Sequence, residues 1–276
     1  MTYIFVGGSQ RTGTSIAQQM LCQLPEANPY LYEASFLRQL VSCYADARND
    51  FNQNHVSYFE NLQNLRDFNS GVVYAFLENV RHRLGGVQHL ILKEPHLTMY
   101  WPFLFELVPD AKFLMMVRDP RDAVASMVQV GERQKKLGQE YLFVKRDVAE
   151  LCRHFLAFYE PAFAVTDQRF RDQLGVVHYE ELVEDPQQTL RDVTAFTGVA
   201  FDQIEIAASL DTGHVAVADT SSSATYSPWV TEVSGQKPSK GRIGNHANVL
   251  TATEISIVEH ECADFFEWFG YQNKAA

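Results

Sequence analysis

The sequence predicts an α/β fold in which a central parallel sheet carries helices on both faces. Two observations lead to this prediction. Short, strongly apolar runs alternate along the chain with stretches in which apolar residues recur at helical spacing. The 276 residues are also 46% hydrophobic and 21% charged, which is typical of a globular domain. Because no linker-like segment interrupts the middle of the chain, we expect residues 1–276 to form a single domain.

Strands are expected where the apolar runs are short and are bounded by turn residues. They occupy residues 3–6, 89–93, 112–117 and 175–178. Helices are expected where the apolar spacing is that of one helix face. They occupy residues 14–24, residues 101–108, a segment opened by Pro120, residues 148–158, a segment opened by Pro186, and residues 253–269. Residues 211–244 are rich in Ser, Thr, Gly and Pro without a clear period, which predicts a functional loop or a disordered one.

The charge balance restricts the partners of the protein. Its formal net charge is −11, and a field this negative repels nucleic acids and anionic membrane surfaces. The sequence has no apolar run long enough to span a membrane, and its first strand leaves no room for a signal peptide. Its four cysteines are widely spaced, without a metal-type pairing, which indicates reduced thiols. These features predict a cytoplasmic protein without nucleic-acid or membrane partners, in which an anionic ligand requires a local cluster of cations.

The loop after the first strand has the composition of a phosphate cradle, Gly8-Ser9-Gln10-Arg11-Thr12-Gly13-Thr14-Ser15. Glycines let the backbone approach a phosphate, and the N-terminal amide groups of the following helix face it, so we predict a P-loop-like domain. The nucleotide-triphosphatase loop needs a lysine where this chain has Thr14, and the cation here is Arg11 instead. Taken alone, the loop has a second interpretation, a tight turn with a solvated arginine.

A second anion-binding feature follows the third strand. Arg118 ends that strand, Asp119 and Pro120 open the next helix as its N-cap and first residue, and Ser126 lies about two turns into the helix. A guanidinium and a hydroxyl placed in this way can contact one phosphate from two sides. The alternative is a helix-capping arginine and an ordinary surface serine. The presence of the glycine-rich loop favours the phosphate interpretation.

These residues resemble the sulfotransferases that depend on 3′-phosphoadenosine-5′-phosphosulfate (PAPS). Residues 8–15 resemble their 5′-phosphosulfate loop, and residues 112–121, continuing to Ser126, resemble their 3′-phosphate motif. Three further stretches resemble the tyrosylprotein sulfotransferase branch more specifically: residues 93–95, 109–114 and 177–183. The resemblance implies transfer of a sulfuryl group from PAPS to a hydroxyl acceptor, such as a small molecule, a sugar or a tyrosyl peptide, with PAP as the product.

The resemblance also implies how charge is handled in the reaction. Charge builds on the transferring group and on the departing phosphate, so the site needs cations there and a base for the acceptor hydroxyl. Arg11 matches the loop cation on the 5′-phosphate side, and Lys93 matches a lysine that stabilises the leaving phosphate. No metal is required if protein cations neutralise this charge. Without the resemblance, Lys93 would be interpreted as a solvated lysine at a strand end.

Two residues are candidates for the general base. Glu33 occupies the position of the base glutamate in the tyrosylprotein branch, and we prefer it. His96 follows Lys93 by three residues, which is similar to the Lys-x-His arrangement of small-molecule sulfotransferases with Pro95 inserted. Either side chain could instead be structural, Glu33 as a helix-cap carboxylate and His96 as a loop histidine.

The rest of the implied cofactor site comes from later segments. Tyr179 is similar to a family tyrosine near the adenine end of the cofactor, and residues 237–244 are similar to a Lys-Gly-x-x-Gly loop that closes over the 3′-phosphate. The complete set of predicted cofactor-binding residues is Gly8, Ser9, Gln10, Arg11, Thr12, Gly13, Thr14, Ser15, Arg118, Ser126, Tyr179, Ser239, Lys240 and Gly241.

Two other function classes compete with this interpretation. A P-loop kinase or nucleotidase is disfavoured by Thr14 in place of the loop lysine and by the pair formed by Arg118 and Ser126. A non-catalytic module that binds PAP is disfavoured because the candidate catalytic residues Arg11, Glu33 and Lys93 are present together.

Overall fold

The computed structural model of the chain describes residues 1–206 and 240–271. Its four strands pair in parallel in the spatial order β2-β1-β3-β4. The strands are β1 (Thr2–Gly7), β2 (His89–Lys93), β3 (Lys112–Val117) and β4 (Leu174–His178). Each predicted strand is present with bounds that differ from the prediction by one residue at most.

The helices between the strands are mostly short. In chain order they are α1 (Thr14–Leu21), α2 (Ser35–Asn49), α3 (Phe51–Asn54), α4 (Val56–Phe59), α5 (Leu62–Arg83), α6 (Trp101–Leu107), α7 (Pro120–Lys136), α8 (Val148–Leu156), α9 (Glu160–Phe163), α10 (Gln168–Arg171), α11 (Tyr179–Glu184), α12 (Pro186–Thr197), α13 (Ala252–Glu261) and α14 (Ala263–Phe269). Turns of 3-10 helix complete the description, at Pro95–Tyr100, Leu142–Lys145, Phe201–Gln203, Lys240–Arg242 and Asn245–Asn248.

Alternating side chains of the strands enter two separate cores, because successive residues of a strand face opposite sides of the sheet. Phe5, Leu92 and Phe113 belong to one core, which also takes the apolar faces of α2, α5, α7 and α8. Val6 and Leu114 belong to the other core, against α1 and α12. Helices therefore cover both faces of a parallel sheet, which confirms the predicted fold class. The assignment of all 276 residues to one domain remains a prediction.

The register of the strands brings their carboxyl ends to one edge of the sheet. Val6 of β1 pairs with Lys93 at the end of β2, and Val117 of β3 pairs with His178 at the end of β4. The loops that follow β1, β2 and β3 leave from this edge, which is where ligands bind in open α/β sheets. The fold thus places the glycine-rich loop, Lys93 and Arg118 on the same side of the molecule.

Two predicted helices end two or three residues earlier than expected, and the C-terminal helix is divided into two. The first ends at Leu21 rather than at residue 24, and the helix predicted to reach residue 158 ends at Leu156. The C-terminal helix is divided at Cys262, whose backbone angles of φ −104° and ψ 19° interrupt it. This break turns α14 so that Phe265 packs against Tyr159, with ring centroids 4.8 Å apart. Burial of aromatic surface therefore overrides the helical period in this segment.

Residues 35–86 received no secondary structure from the sequence, yet they hold α2 and the 22-residue helix α5. The two helices pack against each other and against the sheet. Their periodicity is obscured because several large apolar side chains on them remain exposed, among them Phe36, Phe68 and Val72.

Among the described residues, no helix has both the length and the apolar character required to cross a bilayer. The cytoplasmic location remains a prediction.

Candidate active site

Two side chains accept hydrogen bonds from the backbone of the first half of the glycine-rich loop. The amide of Gly8 donates to Thr98 Oγ1 at 2.8 Å, and the amide of Ser9 donates to Tyr159 Oη at 3.2 Å. Tyr159 in turn donates its hydroxyl hydrogen to the carbonyl oxygen of Met116 on β3, at 3.0 Å. These hydrogen bonds fix the position of the loop relative to the edge of the sheet.

The second half of the loop forms the start of α1. Thr12 donates its hydroxyl hydrogen to the carbonyl oxygen of Ser9 at 2.7 Å, which closes the turn. Gly13 has a φ of 91°, and a β-carbon at this position would lie 2.6 Å from Tyr179 Cδ2. Among the described residues no side-chain hydrogen bond caps α1 at Gly13, and the first amide groups of the helix face the loop. This is the arrangement that binds an anion at a helix N-terminus.

Several arginines converge beside this loop. Arg11 donates from Nε to Ser126 Oγ at 3.2 Å, so the structure joins two residues that were predicted to bind different phosphates. Burial, followed by the nearby charges of Arg118, Arg133 and Arg242, lowers the pKa of Arg11 to about 10. A partly buried group of like charges is costly unless an anion compensates it. The cluster therefore favours binding of an anion.

Arg118 holds the centre of this cluster. It donates from Nη1 to the carbonyl oxygen of Arg11 at 3.1 Å and from Nη2 to the carbonyl oxygen of Arg242 at 2.7 Å. Its guanidinium lies over the ring of Tyr179, 4.3 Å from the centroid. Its Nε is buried and has no acceptor among the described residues. An unsatisfied buried donor on a cation marks a position where an anionic ligand oxygen fits.

A separate ion pair lies at the end of β2. Lys93 Nζ lies 3.1 Å from Glu33 Oε1, and the amide of Ala34 donates to the carbonyl oxygen of Lys93 at 3.0 Å. The two side chains differ in exposure, 5% for Lys93 and 52% for Glu33. The pair thus presents a carboxylate to solvent that is held in place by a buried cation.

His96 lies in the 3-10 turn after β2 and contacts a carboxylate rather than a cation. Its Nδ1 is 3.3 Å from Glu94 Oε1, and its backbone amide donates to the same oxygen at 3.1 Å. Its ring packs against Phe158, with centroids 5.3 Å apart. These contacts are compatible with a structural histidine as well as with a general base.

Sequence reasoning did not find the side chains that support the loop. Thr98 and Tyr159 hold its backbone, and His154 Nε2 lies 3.2 Å from Gln10 Oε1. These residues come from the turn after β2, from α8 and from the turn between α8 and α9, far from the loop in sequence. The only available signal was the helical spacing of apolar residues from Val148 onward, which predicts burial but not the hydrogen bonds.

The predicted residues near the C-terminus are partly described. Lys240 and Gly241 lie exposed in the turn Lys240–Arg242, whose last carbonyl contacts Arg118. Ser239 lies outside the described residues. In the described ranges, no three His, Cys, Asp or Glu side chains are grouped as metal ligands would be. A reaction without metal remains a prediction.

The profile of the Sulfotransferase family matches residues 3–203. The chain belongs to the sulfotransferase family. This match covers the loop, the Lys93 and Glu33 pair, Arg118, Ser126 and Tyr179, and it ends before the Lys240–Arg242 turn.

Similar proteins within the sulfotransferase family include enzymes named for different acceptors. Protein-tyrosine sulfotransferase 2 of Gallus gallus is 26% identical over 202 residues, which are 73% of this chain and 52% of that protein. Carbohydrate sulfotransferase 5 of Mus musculus is 29% identical over 124 residues, 40% of this chain and 31% of that protein. The chain thus spans about half the length of the first of these relatives and less of the second.

Solved sulfotransferase structures share the fold along almost the whole chain. The sulfotransferase domain of the Synechococcus PCC 7002 olefin synthase has a TM-score of 0.58 at 16% identity and covers 99% of this chain and 96% of its own. The sulfotransferase domain from the curacin biosynthetic pathway has a TM-score of 0.54 at 16% identity, covering 96% and 97%. At this identity the likeness concerns the fold alone.

Proposed function

We propose that the protein transfers a sulfuryl group from PAPS to a hydroxyl group of an acceptor. The observation that carries this proposal is the meeting of two charged groups at one sheet edge, the arginine cluster around the glycine-rich loop and the Lys93–Glu33 pair at the end of β2. Family membership supports the same reaction class.

The described residues fit PAPS in three respects. The loop offers helix amide groups together with Arg11, and a β-carbon at Gly13 would collide with Tyr179. Arg118 keeps a buried Nε donor for a phosphate oxygen. The buried ring of Tyr179 packs beside Arg118, in the part of the site where the resemblance implies the adenine end. When bound, PAPS would supply the sulfuryl group and leave as PAP.

The chain's own residues supply charge neutralisation. In this proposal Arg11 neutralises charge on the 5′ side, and its contact with Ser126 fixes the direction of its guanidinium. Lys93 is buried, so its ammonium group is only weakly screened by water and stabilises nearby negative charge strongly. Arg118 binds the second phosphate and does not take part in the transfer.

Glu33 is proposed as the general base. Its carboxylate is exposed enough to reach an acceptor hydroxyl, and Lys93 holds it at the sheet edge. It would accept the proton of the hydroxyl as the acceptor oxygen forms its bond to sulfur. His96 is the second candidate, and the carboxylate of Glu94 lies next to its Nδ1.

The helices after Glu33 are proposed to face the acceptor. Tyr32 and Phe36 flank Glu33 and expose 65% and 56% of their surface, and the ring of Phe36 packs on Phe76 of α5 at 5.4 Å. Exposed apolar patches of this kind commonly mark binding surfaces. This supports an acceptor that carries an apolar or aromatic group next to its hydroxyl.

A screen for PAPS-dependent mass gain tests the proposal. The protein is incubated with PAPS and a panel of phenols, alcohols, sugars and tyrosyl peptides, with and without EDTA. We expect at least one acceptor to gain the mass of one sulfuryl group while PAP accumulates, and we expect EDTA to leave the rate unchanged. Strict dependence on Mg²⁺, or phosphate transfer from ATP, would favour the kinase interpretation.

A further inference from the structure

Asp122 is a buried carboxylate of α7 whose hydrogen bonds within the described part of the chain all go to one late segment. Its Oδ2 accepts from the amide of Gly244 at 2.7 Å. Its Oδ1 accepts from the amide of His246 at 2.9 Å and lies 2.8 Å from the ring Nδ1 of the same histidine. Only 3% of Asp122 is exposed. Both carboxylate oxygens are therefore engaged by residues 244–246.

The same segment is held a few residues earlier by Arg118. Arg118 Nη2 donates to the carbonyl oxygen of Arg242 at 2.7 Å. Arg118 and Asp122 are four residues apart, at the end of β3 and in the first turn of α7, so they grip neighbouring parts of one chain segment. Because β3 and α7 belong to the rigid core, the segment is fixed relative to the phosphate-binding arginine.

Asp122 itself is unsuited to touch a phosphate, since a carboxylate there would repel it. Burial alone would raise the pKa of Asp122, but the hydrogen bonds from His246 and Gly244 and the charge of Arg118 outweigh burial and lower the pKa. The carboxylate is thus ionised and saturated with donors. Its contribution to an anion site must act through the segment that it holds.

We infer that Asp122 is a positioning residue for the nucleotide, which fixes the Lys240–Arg242 turn beside Arg118 before the nucleotide binds. This inference rests on the proposed function. In this arrangement Arg242 contributes its charge to the phosphate bound by Arg118, while the hydrogen bonds of Asp122 go to Gly244 and His246 rather than to the glycine-rich loop. A nucleotide that has the 3′-phosphate should depend on Asp122, and one that lacks it should not.

Asp122→Asn is the decisive variant because it keeps the size of the side chain. The amide supplies one acceptor oxygen for three donors and points its own N–H groups at the others. We expect the affinity for PAP, measured by calorimetry, to fall by about tenfold or more, since this corresponds to one or two lost charge-assisted hydrogen bonds. Affinity for adenosine 5′-phosphate should change by less than about twofold.

His246→Ala is a second variant, for which we expect a smaller effect. It removes the ring contact but keeps both backbone donors to Asp122, so the ratio of PAP to adenosine 5′-phosphate affinity should fall by only about two- to threefold. If Asp122→Asn does not accumulate as folded protein, this ratio in His246→Ala decides. Melting temperatures without nucleotide show whether each variant is folded.

Equal affinities of wild type and Asp122→Asn for PAP would overturn the inference. An equal loss for both nucleotides would also overturn it, because that is the pattern of general destabilisation. Failure of the wild-type protein to bind PAP is a different result, which removes the proposed function itself.

Discussion

Glu33 and His96 occupy opposite electrostatic surroundings within the same site. Glu33 faces the buried ammonium group of Lys93, whereas the ring of His96 faces the carboxylate of Glu94. Glu33 is preferred as the base because its carboxylate is exposed at the sheet edge and is held in place there by Lys93.

Replacement of the two candidates separates them. Glu33→Gln should reduce turnover by about 10²- to 10⁴-fold, because the amide cannot accept the proton of the acceptor hydroxyl. PAP affinity should stay near that of the wild type. His96→Asn should retain most of the activity. Initial rates with any acceptor that turns over, together with PAP calorimetry, provide the measurement, and an active Glu33→Gln with an inactive His96→Asn would reverse the assignment.

Arg118 is the residue on which nucleotide affinity should depend most. Arg118→Ala leaves a phosphate without its charge-assisted donors, so PAP binding should weaken by about 1.5–3 kcal/mol. Arg118→Lys is the matched control, since it keeps the charge but cannot reach the carbonyl oxygens of Arg11 and Arg242 together. We expect it to recover only part of the loss. Unchanged PAP affinity in folded Arg118→Ala would contradict the assignment.

His154 should make stability depend on pH. Burial, with a contribution from His96, lowers its pKa to about 4 from 6.5. Between about pH 6.5 and 4 the unfolded chain binds a proton at this histidine that the folded protein does not bind. The free energy of unfolding should therefore fall by roughly 2 kcal/mol as the pH decreases from about 6.5 toward 4. His154→Gln should flatten this dependence in urea unfolding. His260→Gln, at a side chain that is 87% exposed, should leave it unchanged.

The sequence identified most of the charged residues that meet at the site, but not their pairing. Arg11, Ser126 and Arg118 were predicted from motifs and do lie together. That Arg11 contacts Ser126 directly could not be predicted, because it depends on the path of the loop above the sheet. Arg133 was missed, since an arginine late in an amphipathic helix has no local feature that distinguishes it from a solvated one.

At the scale of elements, the glycine-rich loop has the most sharply defined requirement. Gly13→Ala combines a left-handed φ with a β-carbon 2.6 Å from Tyr179, so it should both strain the loop and displace that ring. We expect PAP affinity to fall by about tenfold or more. The control is Gly71→Ala in α5, where a β-carbon would meet nothing within 4 Å.

The Gly71→Ala control should have the opposite effect on stability. Alanine at position 71 should stabilise the helix by about 0.5–1 kcal/mol and leave PAP affinity unchanged. Thermal unfolding and calorimetry of both variants test the pair. If Gly13→Ala binds PAP like the wild type, the loop does not surround the nucleotide in the way proposed.

Strands were predicted more accurately than helices, and the reason is physical. Strands β1, β2 and β3 are buried on both faces by helices, so each appears in the sequence as a continuous apolar run with clear ends, whereas the edge strand β4 exposes 42% of Val176. Helices α2 and α5 carry exposed apolar residues, which are proposed to face the acceptor. These residues obscure the helical period in the sequence. The division of the last helix at Cys262 depends on aromatic packing with Tyr159, which no local pattern records.

At the scale of the whole molecule, a strongly acidic chain gathers four arginines beside the glycine-rich loop. The net charge is −11, yet Arg11, Arg118, Arg133 and Arg242 lie close enough to lower the pKa of the first of them. An anion bound there compensates their repulsion and should stabilise the fold as a whole.

Nucleotide-dependent thermal unfolding in the presence of either PAP or ATP with Mg²⁺ tests the central claim most directly. The melting temperature should rise with PAP concentration, in EDTA as well, by an amount that follows mass action and corresponds to about 2.7 kcal/mol at a hundredfold excess over Kd. ATP with Mg²⁺ should have little effect, because Thr14 stands where a triphosphate loop has its lysine. Stabilisation by ATP with Mg²⁺, with no response to PAP, would contradict the account.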